Sequence, residues 1–126
     1  MKKSPPKPTD SELAILQVLW RSGPSTVKEV QEALGGETGY TTALKFLQIM
    51  TEKGLVRRDE TQRAHVYEAS ASEEETQRQL VSGLLAKAFG GSSTKLVMQA
   101  LASKRATPAE LEEIKRLVQQ LSREAK

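Results

Sequence analysis

Hydrophobic side chains recur every three or four residues along the first third of the chain, a spacing that predicts two short amphipathic helices. The first is predicted to begin after Thr9, which has capping-box spacing with Glu12, and to end at Gly23. Ser25 or Thr26 is predicted to cap the second helix, which a pair of glycines ends. The residues expected to face inward are Leu13, Ile15, Leu16, Leu19 and Trp20 in the first helix and Val27, Val30 and Leu34 in the second.

A third helix and two strands are predicted for residues 40–69. The helix begins near Tyr40 or Thr41 and ends at Gly54. Residues 55–58 are predicted to form one strand and residues 64–67 the return strand, with a polar turn over residues 59–62. This order predicts a mainly α fold with a small β-hairpin wing, the winged helix-turn-helix domain. The helix is expected to bury Ala43, Leu44, Leu47 and Met50.

The chain from Ser72 onward shows only helical patterns. A capping box begins the fourth helix at Ser72, a fifth helix follows, and Thr107, Pro108 and Glu110 predict the start of a sixth. Residues 72–126 are barely enough to form a stable hydrophobic core on their own, so we expect a second copy of the chain to cover their apolar stripes. The expected homodimer contacts are Leu80, Leu84, Leu85, Leu111, Ile114, Val118 and Leu121.

These patterns divide the chain into three parts. Residues 1–8 are rich in proline and lysine and are expected to form a flexible N-terminal arm. Residues 9–71 are predicted to form a winged-helix DNA-binding domain, and residues 72–126 a helical dimerisation domain.

The composition narrows the classes of function. The chain has no cysteine and a single histidine, which excludes disulfides, thiolate metal sites and cysteine nucleophiles. It also has no Gly-rich phosphate loop, nucleophile elbow or HExxH motif, so we expect no enzyme activity, no metal and no cofactor. No apolar run approaches about 20 residues and the N-terminus has no apolar signal core, so a cytoplasmic protein without membrane insertion is predicted.

Candidate DNA-binding residues follow from where polar side chains lie, not from total charge. The net charge is only +3, and residues 1–71 contain ten Lys and Arg against nine Asp and Glu. On the third helix, Thr41, Thr42, Lys45 and Gln48 have side chains that can bind phosphates or base edges in a groove. Arg63, near the hairpin turn, is a candidate for contact with a phosphate or the minor groove.

The same residues also have ordinary structural explanations. The polar face of the third helix could simply be solvated, and Arg57 and Arg58 could pair with Asp59 and Glu60 at an exposed strand edge. His65 has no accompanying metal-ligand pattern and is expected to be a surface strand residue. Two other functions stay open: a winged-helix protein-interaction module that binds no DNA, and a small-molecule-sensing regulator with a cavity at its dimer interface.

Five segments resemble the penicillinase repressor family: TDSELAILQVLW, TTALKFLQIMTEKGLV, RAHVYEA, SSTKLVMQAL and TPAELEEIKRLVQQL. The likeness extends over nearly the whole chain from Thr9. It implies a cytoplasmic homodimeric repressor whose winged-helix domain binds a palindromic double-stranded DNA operator and whose C-terminal helices form the dimer. Members often control β-lactam-resistance genes. In the best-known members, repression is relieved by proteolysis in the dimer domain, downstream of a membrane metallopeptidase sensor.

The chain departs from the family pattern at several positions. The best-known members are cleaved at the Asn-Phe bond of a Leu-Val-Leu-Asn-Phe run, and the matching bond here lies between Gln99 and Ala100. The cysteines of the copper-responsive branch are absent, so copper sensing is not expected. Lys45 and Ile49 stand where well-known members carry Thr and Arg, which predicts a different operator preference. The wing's usual Gly-Arg pair keeps only its arginine, Arg63.

Overall fold

The computed structural model describes residues 6–103 and 105–125. Residues 1–5 of the predicted N-terminal arm lie outside this range, and Pro8 is buried. No helix in the described ranges is long and apolar enough to cross a membrane. The elements, in chain order, are α1 (Asp10–Ser22), β1 (Ser25–Thr26), α2 (Val27–Ala33), α3 (Tyr40–Lys53), β2 (Val56–Asp59), β3 (Val66–Ala69), α4 (Glu73–Ala88), α5 (Ser93–Ser103) and α6 (Pro108–Glu124).

Side-chain caps define the starts of several helices. The Thr9 hydroxyl accepts a hydrogen bond from the N–H of Glu12 at 3.2 Å, and the Glu12 carboxylate accepts one from the N–H of Thr9 at 2.9 Å. This confirms the predicted capping box of α1. The predicted boxes that begin at Ser72 and Thr107 are also present. Thr26, one of the two predicted caps of the second helix, begins α2 and forms a further box with Glu29.

The wing is a three-stranded antiparallel sheet in the order β1-β3-β2, rather than the two-stranded hairpin predicted. The strand β1 is only two residues long, too short to give an alternating pattern. The return strand covers Val66–Ala69, two residues later than predicted. Its register is set by Tyr67, which is buried and pairs with Arg58, so the turn widens to residues 60–65.

The core lies between α1, α2, α3 and the sheet. The predicted inward positions Ile15, Leu16 and Leu19 of α1 are buried. Trp20 was predicted to be a core residue but is only partly buried, because its indole Nε1 donates a hydrogen bond to the Ala71 carbonyl oxygen at 3.0 Å at the edge of the core. The buried apolar residues are Ile15, Leu16, Val18, Leu19, Val27, Val30, Ala43, Leu47, Met50, Leu55, Val56 and Tyr67.

The chain separates into two compact units, with the division between Val81 and Ser82 inside α4. The second unit contains the end of α4 together with α5 and α6. None of its described residues, 82–103 and 105–125, is buried within the single chain. Its exposed large apolar side chains are Leu84, Val97, Met98, Leu101, Leu111, Leu117, Val118 and Leu121.

Candidate nucleic-acid interface

The helix α3 is divided lengthwise into a buried face and a polar face. Ala43, Leu47 and Met50 are fully buried, each with 0% of the residue surface exposed. At about 100° per residue, Thr41, Lys45 and Gln48 fall on the opposite side of the helix. All four predicted α3 contact residues, including Thr42, are exposed. The core therefore holds α3 with this polar face directed outward.

A partly buried ion pair links the end of α3 to the start of α1. Lys53 Nζ lies 2.9 Å from Glu12 Oε2, and only 3% of the Glu12 side chain is exposed. Burial raises the pKa of Glu12, but the hydrogen bonds from Thr9 and Lys53 and the charge of Lys53 outweigh that effect, so the net pKa is lowered. The pair thus joins the C-terminal turn of α3 to the first turn of α1.

The wing turn lies beside the N-terminal turn of α3. Arg63 and His65 of the turn line one cleft of about 410 Å³ together with Tyr40 and Leu44 of α3 and Lys28 of α2. The helices α2 and α3 and the wing turn therefore meet around one concave surface that carries the positive charges of Lys28 and Arg63. The predicted wing residue Arg63 belongs to this cleft, which the polar face of α3 adjoins.

The basic residues of the wing differ in their partners. Arg57 Nη2 lies 3.2 Å from Glu68 on the neighbouring strand, and Arg58 Nη2 lies 3.5 Å from Glu60. His65 Nε2 is 3.8 Å from the same Glu60 carboxylate. Within residues 6–103 and 105–125, Arg63 has no acidic partner. Two of the wing arginines are thus neutralised locally, and Arg63 is available for an external anion.

Lys28 is a basic residue that the sequence pattern did not single out. It is exposed near the start of α2 and lines the same cleft as Arg63. A lysine at the second position of a short helix has no distinctive sequence signal. Its relevance comes only from the fold, which brings α2 next to the wing.

A second, smaller cleft of about 240 Å³ lies on α3 itself. Thr42, Lys45, Phe46 and Ile49 line it. The structure therefore brings Thr42 and Lys45 together in one cleft and Arg63 into the other, whereas Gln48 lines neither. In the described part of the chain, no group of three or more metal-ligating side chains is present.

The sequence model of the penicillinase repressors matches residues 8–120. The chain belongs to the penicillinase repressor family. Because this is a family of transcriptional regulators, the predictions of family and of a non-enzymatic protein are confirmed.

The chain is also similar to individual proteins of this family. The transcriptional regulator BlaI of Mycobacterium tuberculosis (strain H37Rv) is 37% identical over 83 residues, which is 64% of this chain and 57% of that protein. The chain thus spans little more than half the length of this curated relative. The solution structure of monomeric Bacillus licheniformis BlaI with the blaP half-operator is 24% identical, with a TM-score of 0.50, and covers 59% of this chain and 93% of that one. This likeness confirms the winged-helix fold predicted for the chain.

Proposed function

We propose that this penicillinase repressor binds a palindromic double-stranded DNA operator as a homodimer and represses transcription. Residues 9–71 act as the DNA-binding domain and residues 72–126 as the dimerisation domain. The observation that carries the proposal is the outward polar face of α3, which has Thr41, Lys45 and Gln48 opposite the buried side. This face lies beside Arg63, which has no acidic partner among the described residues.

Each residue of this face has a role that its chemistry supports. The Lys45 ammonium donates to guanine O6 and N7 or to a phosphate, and the Gln48 amide can pair with an adenine edge. The hydroxyls of Thr41 and Thr42 bind phosphates at the groove edge. Arg63 lies on the wing turn, where a cation without an acidic partner can bind the phosphate backbone.

The exposed apolar stripe of α6, in the second unit, supports the proposal of a homodimer. Leu111, Val118 and Leu121 follow heptad-like spacing along α6 and are 48%, 56% and 53% exposed in the single chain. Leu117, also exposed, widens this apolar stripe. Burying a leucine side chain contributes roughly 1.5–3 kcal/mol, so a twofold partner that covers these residues is strongly stabilising.

We propose that a protease relieves repression by cutting between Gln99 and Ala100. Both side chains are exposed, but the bond lies inside α5, so the protease must first open this helix locally. Mass spectrometry of the protein from cells treated with a β-lactam tests this step. A fragment ending at Gln99 supports it, and an intact chain in derepressed cells contradicts it.

Binding to DNA across a range of salt concentrations tests the main proposal. A duplex recovered by selection from a random library is titrated with the protein, and log Kd is followed against log salt concentration. We expect a steep loss of affinity with salt, with a slope of about 0.9 for each phosphate contacted. If no duplex is enriched, or if binding is weak and its Kd does not change with salt concentration, the protein is better explained as a winged-helix protein-interaction module that binds no DNA.

A further inference from the structure

The cleft on α3 is apolar although it lies beside a polar face. The cleft is lined by Thr42, Lys45, Phe46 and Ile49. Thr42 lies three and four residues before Lys45 and Phe46, and Ile49 lies four and three residues after them, so the four form one stripe along the helix. The accessible surface inside the cleft is almost entirely carbon, which means that Thr42 and Lys45 contribute their aliphatic atoms to it. Phe46 packs partly against the core, whereas Ile49 lies outside the core cluster.

The position of the cleft favours DNA as its occupant. Thr42 and Lys45 belong both to the cleft and to the proposed DNA-binding face, so any duplex held by that face also approaches Phe46 and Ile49. The Lys45 ammonium has no acidic partner among the residues that the structure describes, and a positive charge at the rim complements a polyanion. In the major groove of DNA, the apolar feature of a base pair is the C5-methyl group of thymine.

We propose that this cleft receives the C5-methyl group of a thymine and so makes Ile49 a specificity-determining residue. The inference rests on the proposed function, since it requires α3 to enter the major groove. Ile49 supplies branched apolar contact surface, and Phe46 closes the floor of the cleft toward the core. Lys45 holds the backbone or a neighbouring guanine while the methyl group is buried.

Deoxyuridine provides a direct test, because it differs from thymidine only by the missing methyl group. A duplex selected from a random library is resynthesised with deoxyuridine in place of each thymidine in turn, and the Kd of the unaltered protein is measured by fluorescence anisotropy. At one thymine in each half-site, we expect affinity to fall roughly fourfold, the factor that corresponds to one buried methylene-sized group. Exchange of any other thymidine is expected to leave the Kd unchanged.

The Ile49→Ala variant then links the effect to the cleft. With its apolar wall shortened, it is expected to bind the thymine and uracil duplexes almost equally well. Gln48→Ala is the matched control, since Gln48 is exposed on the same helix but does not line the cleft. It is expected to bind more weakly overall and to keep the roughly fourfold preference for thymine.

The outcomes separate this inference from the proposed function. If a duplex is enriched but no deoxyuridine substitution changes its Kd, the methyl pocket is wrong and the DNA-binding proposal stands. If Ile49→Ala keeps the full preference for thymine, the methyl group is bound elsewhere and the assignment to this cleft is wrong. If selection enriches no duplex at all, the proposed function fails and the inference fails with it.

Discussion

Lys45 and Arg63 differ from Arg57 and Arg58 because they lack acidic partners within the described part of the chain. Arg57 and Arg58 are paired with Glu68 and Glu60, and exposed pairs of this kind contribute little to stability. The ion pairs therefore distinguish basic side chains that interact within the wing from those that are available to contact DNA. The sequence alone could not make this distinction, since all four residues are exposed cations.

Replacing Lys45 with alanine is expected to weaken specific DNA binding by about 1–3 kcal/mol, because a charge-assisted contact to a base edge or phosphate is lost. Lys87→Ala in α4 is the matched control, an exposed helical lysine that is not part of the candidate interface. Fluorescence anisotropy on the selected duplex measures both variants. Equal affinities for the two variants would remove Lys45 from the interface.

The Glu12–Lys53 pair predicts a stability effect that depends on pH. The Lys53→Met change leaves a buried carboxylate without its cationic partner and is expected to cost roughly 1–3 kcal/mol near neutral pH. Since the pKa of Glu12 is lowered below its usual value of 4.5, the stabilisation is complete above that value and is lost as the pH falls through the folded-state pKa. The difference from the unaltered protein should therefore shrink in acid.

Urea unfolding at fixed protein concentration measures this difference at about pH 7 and about pH 3. Lys53→Arg, which keeps the positive charge, serves as the control and is expected to retain most of the stability. A destabilisation of Lys53→Met that is the same at both pH values would show that lost packing, not the ion pair, is responsible.

At the level of secondary structure, two glycines should respond in opposite ways to alanine substitution. Gly54 ends α3 with φ at +82°, a left-handed conformation that a Cβ atom strains, so Gly54→Ala is expected to destabilise the fold by about 1 kcal/mol. Gly83 lies inside α4 with no heavy atom within 4 Å of an added Cβ. Gly83→Ala is expected to stabilise by about 0.5–1 kcal/mol.

Thermal unfolding at one protein concentration compares the two variants directly. Because Gly83→Ala introduces the same methyl group at an unstrained position, it controls for the general effect of the exchange. A Gly54→Ala protein as stable as the unaltered chain would contradict the role assigned to the left-handed turn.

Helices were predictable from the sequence because their ends carry chemical signals. The Thr9, Ser72 and Thr107 caps and the Gly54 stop all appear in the structure where the sequence pattern put them. The wing was predicted less accurately. Its register depends on Tyr67, which is buried in a core built from residues distant in sequence, and the two-residue strand β1 is defined by its pairing with β3.

For the whole molecule, the sequence pattern predicted which residues need a partner but not how the clefts form. The apolar stripe of α6 was evident from its spacing. None of the described residues of the second unit is buried, so this stripe is not covered within the unit. The cleft beside Arg63 brings together α2, α3 and the wing turn, so no local pattern could reveal it. Lys28 was missed for the same reason.

The Leu121→Asp variant tests the proposed dimer contacts. Each dimer would lose two buried leucines and gain two desolvated carboxylates, so dimerisation should weaken by at least roughly 3–6 kcal/mol, twice the value for one leucine. Gln119→Asp adds the same charge on another side of α6 and should leave the dimer intact. Sedimentation velocity distinguishes them, and a Leu121→Asp protein that remains dimeric would exclude this stripe from the interface.

In the proposed complex, two copies of the chain present two α3 helices to one symmetric duplex. A hydroxyl-radical footprint on a selected duplex, made with the unaltered protein at saturation, tests this arrangement. We predict two equivalent protected segments whose centres are separated by about 10–10.5 base pairs or a multiple of that spacing. A single protected segment, or two segments unrelated by symmetry, would show that the protein does not bind DNA as a symmetric pair.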